Sequence, residues 1–401
     1  DILKKLEIGN VSLPLNNSLI TGAQNLFGIK AQFQFGKLFA TAIGTTQRGK
    51  QSTITINGST DGAAQGRPFE IVGSNYDENR HFFLAQFFRD NFERWLGTLP
   101  QITSGVNITR VEVYLLNRQN DTQTLRDVVG LMDLGESDKA YRKNYYNTVV
   151  PDGSPADNNN NNLYSLVSQL PLASDGIYDQ LANLFGGQPY IGGTDYEKIT
   201  SARKLATTEF TFHKELGYVT LQRKLQNDEA LAVAFEYTYN GRKYKVGELS
   251  EDYSNKGPKD VVWLKMLRPR KIAVKDNLGS ILPTWHLMMK NIYNLNVTQL
   301  QRDGFQLRII YRDDRTGIDN PQLQDGDYAR TKQLIEVFGL DRLNPYNDPM
   351  PDGNFDFVER ITIVPETGLI IFPYLEPLDK ALRKLFAKEP NPNTEQLLLQ
   401  K

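Results

Sequence analysis

The sequence predicts a β-rich α+β fold, in which an amphipathic β-hairpin segment of the outer-membrane type is combined with inserted α+β domains. Three observations support this prediction. Residues 26–46 alternate apolar and polar side chains, residues 230–249 contain the turn pair Asn240-Gly241, and aromatic side chains recur at helical spacing between Phe83 and Trp95. Strand patterns and helix patterns therefore both occur along the chain, as in α+β proteins.

Composition indicates an ordinary folded protein without a global charge bias. The 401 residues carry 46 basic and 47 acidic side chains, so the formal net charge is −1 and no nucleic-acid partner is expected. The chain has no cysteine, which excludes disulfides and thiolate metal sites. No apolar run reaches the roughly 18 residues of a transmembrane helix, and the first residues, DILKKLEIG, lack the apolar core of a signal peptide. We therefore expect an internal piece of a longer chain.

Residues 1–60 are predicted to form an amphipathic strand and hairpin segment. Within it, residues 26–46 read LFGIKAQFQFGKLFATAIGTT, with apolar and polar positions alternating and a Gly36-Lys37 pair suited to a two-residue turn. Arms of about nine residues are long enough for a tilted strand to cross a bilayer. A soluble, half-buried hairpin has the same period of two, so the residues alone leave both interpretations open.

Residues 61–150 are predicted to form a first α+β unit. Asp77 or Asn79 is placed to cap a helix whose apolar stripe is expected to pack in the core. That stripe consists of Phe83, Leu84, Phe87, Phe88, Phe92 and Trp95. Strands are predicted over residues 106–117 and 125–134, which are rich in β-branched side chains. His81 has no histidine or cysteine nearby, so we interpret it as structural.

Residues 151–162 are predicted to be a flexible, Asn-rich insertion that marks a domain boundary. The segment contains PDGSP followed by five consecutive asparagines, 158–162, and offers little apolar surface to bury.

Residues 163–401 are predicted to form a second α+β unit ending in an Asp-rich loop and a hairpin. The pair Asn240-Gly241 is the strongest short-range hairpin signal in the chain. Helices are predicted over residues 177–185, 283–295 and 328–340, and strands over residues 208–212, 218–225, 261–267, 305–312, 360–364 and 369–373.

The Asp-rich loop at residues 344–359 is a candidate calcium site. Oxygen ligands crowded around a glycine turn suit a hard cation that takes six to eight oxygens. The candidate ligands are Asp348, Asp352, Asn354, Asp356 and Glu359. The same residue types also build plain turns through side-chain hydrogen bonds to the backbone, and the full spacing of an EF-hand is missing, so a structural calcium ion is an optional addition here.

No catalytic arrangement is visible in the sequence, and we expect the protein not to be an enzyme. His81, His213 and His286 lie far apart, and no G-x-S-x-G motif or phosphate-binding glycine loop occurs. Pairs of carboxylates among 47 acidic residues carry no assignment without distances.

Several stretches resemble one known family. In chain order, these stretches are LEIGNVSLPLNNSLITGAQNLFGIKAQFQFGK, YDENRHFFLAQFFRDN, SGVNITRVEVYLLNR, DEALAVAFEYTYNGRKYKVGELSED, WHLMMKNIYNL and LDRLNPYNDPMPDGNFDFVERITIVPETGLIIFPYLEP. They are similar to segments from the N-terminal region of the SprA family, also called Sov, the giant outer-membrane translocon of the type IX secretion system.

The resemblance implies a part of an outer-membrane protein-export channel that is needed for secretion and gliding motility. It also implies a β-barrel with folded domains inserted between its strands, a location in the outer membrane, and no catalytic residues. The implied partners are secreted cargo proteins, other secretion-system components and outer-membrane lipid. The alternative is a cell-surface adhesive or scaffold module that uses the Asp-rich loop as a structural calcium site.

Overall fold

The structure is a computed structural model that describes residues 3–11, 26–35, 38–45, 69–116, 126–170, 176–257, 260–277, 279–313 and 316–399. The chain divides into two compact units, Asp1–Glu70 and Ile71–Lys401. This division replaces the three folded segments that the sequence suggested.

The first unit contains one antiparallel sheet with the strand order β1-β2-β3. Its strands are β1 Leu3–Val11, β2 Leu26–Phe35 and β3 Leu38–Thr45. Strand β2 pairs with β3 from Gly28 opposite Thr45 to Phe35 opposite Leu38. The predicted antiparallel hairpin is thus confirmed, whereas the turn pair 36–37 itself lies outside the described residues.

The second unit contains the remaining elements. Its strands are β4 His81–Phe83, β5 Val106–Leu116, β6 Arg126–Leu131, β7 Tyr196–Lys204, β8 Phe210–His213, β9 Tyr218–Leu221, β10 Leu231–Tyr239, β11 Arg242–Val246, β12 Val262–Arg268, β13 Ile292–Asn294, β14 Tyr311–Arg312, β15 Asp319–Asn320, β16 Ile363–Val364 and β17 Leu369–Ile371. Its α-helices are α1 Gln86–Trp95, α2 Leu163–Val167, α3 Ile177–Ala182, α4 Pro283–Leu287, α5 Leu334–Val337, α6 Leu382–Phe386 and α7 Pro392–Leu399.

The largest sheet of the second unit closes on itself. Its strand order is β11-β10-β12-β6-β7-β5, and β5 also pairs with β10, so five strands form a small closed barrel. Strands β6 and β12 run parallel, and the other pairings are antiparallel. One buried cluster draws on all five strands and therefore fills the inside of this barrel. Its strand members, many of them small, are Tyr114, Val128, Ile199, Ala202, Ala232, Ala234, Val262 and Leu264.

Helix α1 covers the outer face of the small barrel, and its aromatic stripe is part of the core, as predicted. All six stripe residues are at most 7 % exposed, and Phe88 packs edge-on against Phe235 and Tyr237 of β10. The predicted beginning of the helix is wrong. Residues 81–83 form strand β4, and the helix begins at Gln86 with no side-chain cap, because His81–Phe83 pair with β9 instead.

Gly217 lets strand β9 approach helix α1 closely. Its φ of +65° lies in the left-handed region, and its carbonyl oxygen accepts a hydrogen bond from the Leu84 N–H at 3.0 Å. A Cβ at this position would lie 2.2 Å from Cδ1 of the Phe88 ring. Glycine is therefore required here both for backbone conformation and for space.

The Asn-rich segment is neither a flexible insertion nor a domain boundary, so this prediction is wrong. Strands β5 and β6 precede the segment and β7, β10 and β12 follow it, yet all five belong to one closed sheet. Asn158, Asn160 and Asn161 are between 2 % and 7 % exposed. The composition suggested a flexible segment, but amide side chains can be buried when they form hydrogen bonds with backbone groups.

The hairpin at Asn240-Gly241 is confirmed. Strands β10 and β11 pair up to Tyr239 opposite Arg242, which leaves a two-residue turn. Asn240 and Gly241 have φ values of +48° and +79°, as a type I′ turn requires.

Two predicted helices are shorter in the structure because strand pairing replaces part of each. The helix predicted over residues 283–295 ends at Leu287, and residues 292–294 form β13 beside β17. The helix predicted over residues 328–340 is broken by an extended Gln333, which bridges to Gln322, so only a short turn and α5 remain before Gly339. The hairpin predicted around residues 365–368 is confirmed with shorter strands, β16 and β17.

Candidate functional site

The Asp-rich loop is organised by two buried carboxylates. Asp356 accepts backbone hydrogen bonds from Arg342 at 2.6 Å and from Leu343 at 3.2 Å. Burial raises the pKa of Asp356 to about 6, although these two N–H groups act in the opposite direction. Asp341, which the sequence analysis missed, accepts the N–H groups of residues 352–353 at 2.9 Å each. A carboxylate just outside the motif therefore holds its glycine turn.

The other predicted calcium ligands lie on the surface of the same loop. Asp348, Asp352, Asn354 and Glu359 are exposed. Asp352 accepts the Asn354 N–H at 2.9 Å, and the Asn344 side chain donates to Asp348 at 3.0 Å. Across the described ranges, no group of three or more acidic, histidine or cysteine side chains is placed to hold a metal ion. The loop is ordered by its own Asp and Asn hydrogen bonds, as predicted, and calcium stays a prediction.

A buried ion pair lies between the small barrel and helix α1. The Lys265 ammonium is 2.7 Å from the Glu136 carboxylate, and both side chains are at most 3 % exposed. Lys265 also donates to the carbonyl oxygen of Met132, and Glu136 accepts the backbone N–H of Gln86 at 3.2 Å. Burial raises the pKa of Glu136, while Lys265 opposes that shift. The pair fixes the beginning of α1 on the barrel.

Asp133 is a second buried carboxylate on the same segment. It accepts hydrogen bonds from the backbone N–H groups of Tyr141 and Arg142 at 2.7 and 2.8 Å, and from the Tyr146 hydroxyl at 2.8 Å. Burial raises the pKa of Asp133 despite these donors. The Arg142 side chain in turn binds Asp195. Strongly shifted carboxyl groups occur at functional sites and in structural networks alike, and the saturated contacts here are typical of the latter.

The Asn-rich segment closes over these carboxylates. The Asn161 side-chain amide donates to the carbonyl oxygens of Asp133 and Glu136, at 2.9 Å each. Asn158 exchanges hydrogen bonds with the backbone of Gly247 at the end of β11. These asparagines therefore connect two distant parts of the chain through specific hydrogen bonds.

An inter-sheet groove is a candidate binding site with mixed chemistry. It has a volume of about 340 Å³, within the usual range for ligand sites. It lies between the sheet β4-β9-β8 and the sheet β13-β17-β16. One wall carries Thr211, His213, Tyr218 and Thr220, and the other carries Ile292, Val364, Leu369 and Ile371. Residues opposite each other on neighbouring strands share a face of the sheet. On the first wall Thr211 is opposite Thr220 and His213 is opposite Tyr218. On the second wall Ile292 is opposite Ile371 and Val364 is opposite Leu369, so each wall is one face of its sheet.

His213 in this groove is neutral and fully engaged. Its Nδ1 accepts the Leu216 N–H at 3.2 Å, so Nε2 carries the proton and donates to the Arg360 carbonyl oxygen at 3.1 Å. Burial lowers the pKa of His213 to about 4. The groove offers contact surfaces of two kinds, and His213 presents no free base to a bound molecule.

A cleft of about 680 Å³ is lined by residues that include Tyr114, Lys204 and Ser250, and these three also hold the nearby Glu112. Lys204, Ser250 and Tyr114 donate to Glu112 over 2.9 to 3.0 Å. Burial alone would raise the pKa of Glu112, but the hydrogen bonds from Lys204, Ser250 and Arg110 lower it. Lys204, one of the cations that line this cleft, therefore helps to neutralise a carboxylate of the same chain.

Comparison with known proteins relates these features to one family. None of the helices in the described ranges is long and apolar enough to cross a membrane. No curated protein matches the chain. A family model named SprA_N, described as motility related/secretion protein, matches residues 1–244. This match spans more than half of the chain and includes the first sheet, helix α1 and the Asn-rich segment. The resemblance seen in the sequence is therefore confirmed, and the protein belongs to the SprA_N family of motility-related secretion proteins.

Proposed function

We propose that this protein is a non-catalytic part of an outer-membrane protein-export channel, the translocon of the type IX secretion system. In this role β1–β3 would be strands of a membrane β-barrel, and the second unit would be a folded domain inserted between barrel strands. Membership of a family of motility-related secretion proteins supports a role in export and gliding. The expected partners are secreted cargo, other secretion-system components and outer-membrane lipid.

The register of the first sheet is the observation that carries this proposal. Residues directly opposite each other in an antiparallel sheet share a face. By this register, one face holds the positions Leu6, Ile8, Ile29, Ala31 and Ala42, and the other holds Lys5, Glu7, Lys30, Gln32 and Thr41 together with Phe39 and Ile43. Apolar and polar positions thus separate onto opposite faces in β2 and in residues 5–8 of β1, the pattern of a barrel wall between lipid and a polar interior, whereas β3 has apolar positions on both faces.

Strand length and open edges support the same role. The strands have 9, 10 and 8 residues, close to the roughly 9–11 that a tilted strand needs to cross a bilayer. Within the described ranges, β1 and β3 each pair only with β2. In a membrane these outer edges would require further strands, because unpaired backbone groups are costly in lipid.

A matched pair of substitutions in the native full-length protein tests the proposal. Ala31→Arg places a charge on the apolar face, and Gln32→Arg places the same charge on the polar face one residue away. A lipid-facing arginine near the bilayer midplane costs about 2–4 kcal/mol. We expect Ala31→Arg to reduce both the amount of protein in the outer membrane and the number of secreted proteins, with Gln32→Arg near wild type.

Equal effects of the two substitutions would contradict the membrane role of this sheet. Deletion of the native gene provides the second arm, with a count of proteins reaching the medium. Unchanged secretion together with lost surface attachment would instead favour a cell-surface adhesive or scaffold module.

A further inference from the structure

Residues 306–310 form a strand-like segment without a strand partner. Its sequence, QLRII, lies inside the strand predicted over residues 305–312, but only Tyr311 and Arg312 pair, with β15. Exposure alternates with a period of two: Gln306, Arg308 and Ile310 are exposed, and the residues between them are half-buried. Phe305, Leu307 and Ile309 pack against the cluster formed by Tyr293, Ile335, Leu340, Ile363 and Ile370. This periodicity is that of an extended strand with one packed face.

The backbone of this segment has no hydrogen-bond partner among the described residues. Each residue carries one strong donor and one strong acceptor, and when such groups are buried they are almost always paired. Strand β15 does not continue alongside the segment because it ends before Pro321. Proline lacks an N–H, and its carbonyl oxygen accepts the Leu334 N–H at 2.9 Å. An open strand edge is left, and it is a template for another extended chain.

We propose that residues 306–310 bind an extended strand of a partner protein by β-strand addition. Backbone groups spaced along a strand are matched by another extended backbone, and side-chain pairs set the specificity. The partner strand would place apolar residues opposite Leu307 and Ile309, where cross-strand neighbours share the packed face. It would place an acidic residue opposite Arg308.

Charge argues for this partner and against a second copy of the chain. The Arg308 guanidinium is exposed, and its hydrogen bond is to the uncharged Gln306 side chain at 3.3 Å, with no ion pair to it in the described ranges. Antiparallel self-pairing centred on Arg308 would bring two guanidinium groups directly opposite each other, which destabilises a strand pair. The proposal does not depend on the membrane role of the first sheet.

Hydrogen exchange at single-amide resolution tests the proposal. The purified 401-residue protein is compared with the native assembly isolated from cells. In the purified protein we expect all amides of residues 306–310 to exchange rapidly. In the assembly we expect every second amide of the segment to exchange at least about tenfold more slowly, because a partner on one edge of a strand pairs with alternate residues.

Two charge reversals provide the matched controls. Arg308→Glu should remove the alternating protection, and Arg302→Glu, at an exposed arginine just outside the segment, should leave it unchanged. Both positions are exposed, and an unchanged thermal melt would verify that the fold is intact. Absent protection, or equal protection of all five amides, would overturn the proposal. Alternating protection that grows with the concentration of purified protein, together with dimers in sedimentation, would overturn it in favour of self-association.

Discussion

Replacing Gly217 with alanine tests the contact between strand β9 and helix α1. Two separate penalties are expected. A non-glycine residue at φ +65° costs about 1–2 kcal/mol. The new Cβ would also lie 2.2, 2.4 and 2.7 Å from three atoms of the Phe88 ring, and overpacking of a core typically costs about 1–3 kcal/mol.

The expected loss of unfolding free energy is therefore about 2–5 kcal/mol, a large share of the roughly 5–15 kcal/mol by which folded proteins are stable. Phe88 has no exposed surface and packs against Trp95, Phe235 and Tyr237, so its ring has little room to move. Gly186→Ala is the control, because its φ is +61° and no atom lies within 4 Å of the place that the new methyl group would take.

Urea unfolding followed by tryptophan fluorescence measures both variants, and Trp95 reports directly on this contact. The difference between Gly217→Ala and Gly186→Ala isolates the overpacking penalty. In a Phe88→Leu background that difference should shrink, because the ring atoms in closest approach are gone. Equal losses for the two glycine variants in the wild-type background would refute the close-packing argument.

Four further outcomes are expected. Lys265→Met should lower the unfolding free energy by about 3–5 kcal/mol because it leaves the Glu136 carboxylate buried without its cation, and adding Glu136→Gln should recover most of that loss in urea unfolding. Asn161→Ala should cost about 1–3 kcal/mol, because it leaves the Glu136 carbonyl oxygen without a donor and leaves the Asp133 carbonyl oxygen with only the Glu136 N–H. The exposed Asn159→Ala should stay within about 0.5 kcal/mol. Burial lowers the pKa of His213 to about 4. The contribution of the neutral imidazole to stability is therefore present above about pH 6.5 and is lost as the pH falls toward 4, and the loss is at most about 2 kcal/mol at pH 5. His213→Gln should reduce the pH dependence of the unfolding free energy by that amount. Millimolar calcium should raise the melting temperature of the chelator-treated protein if the Asp-rich loop binds it, and an unchanged melt would remove the metal from that loop.

Features that depend on local chemistry were predictable from the sequence. The turn at Asn240-Gly241 needs two residues that tolerate positive φ, and this pair supplies them. The stripe from Phe83 to Trp95 was expected to be core because large apolar side chains at helical spacing require a buried face, and all of it is buried. The hairpin of residues 26–46 followed from alternation and a suitable turn pair.

Features that depend on distant partners were not predictable. The parallel pairing of β6 with β12 brings Val128 opposite Val262, and no local pattern indicates it. From the sequence alone, Lys265 is expected to be a solvent-exposed strand residue, because nothing near it along the chain identifies Glu136 as its partner. The run of asparagines at 158–162 resembles a flexible linker in composition, but the burial of Asn158 and Asn161 depends on carbonyl groups far along the chain. Sequence patterns report periodicity and turn chemistry, whereas the identity of a hydrogen-bond partner is set by the tertiary fold.

The position of β12 in the closed sheet has a consequence for where the chain can be divided. The family match ends at residue 244, inside β11, whereas β12 lies at residues 262–268 and separates β10 from β6. A fragment cut at the end of the match would lack that strand and would expose the edges of β6 and β10, which favours aggregation. The barrel also has a high contact order, so during synthesis β5 and β6 must wait until β12 has been made. The unit of folding is thus longer than the unit of family similarity.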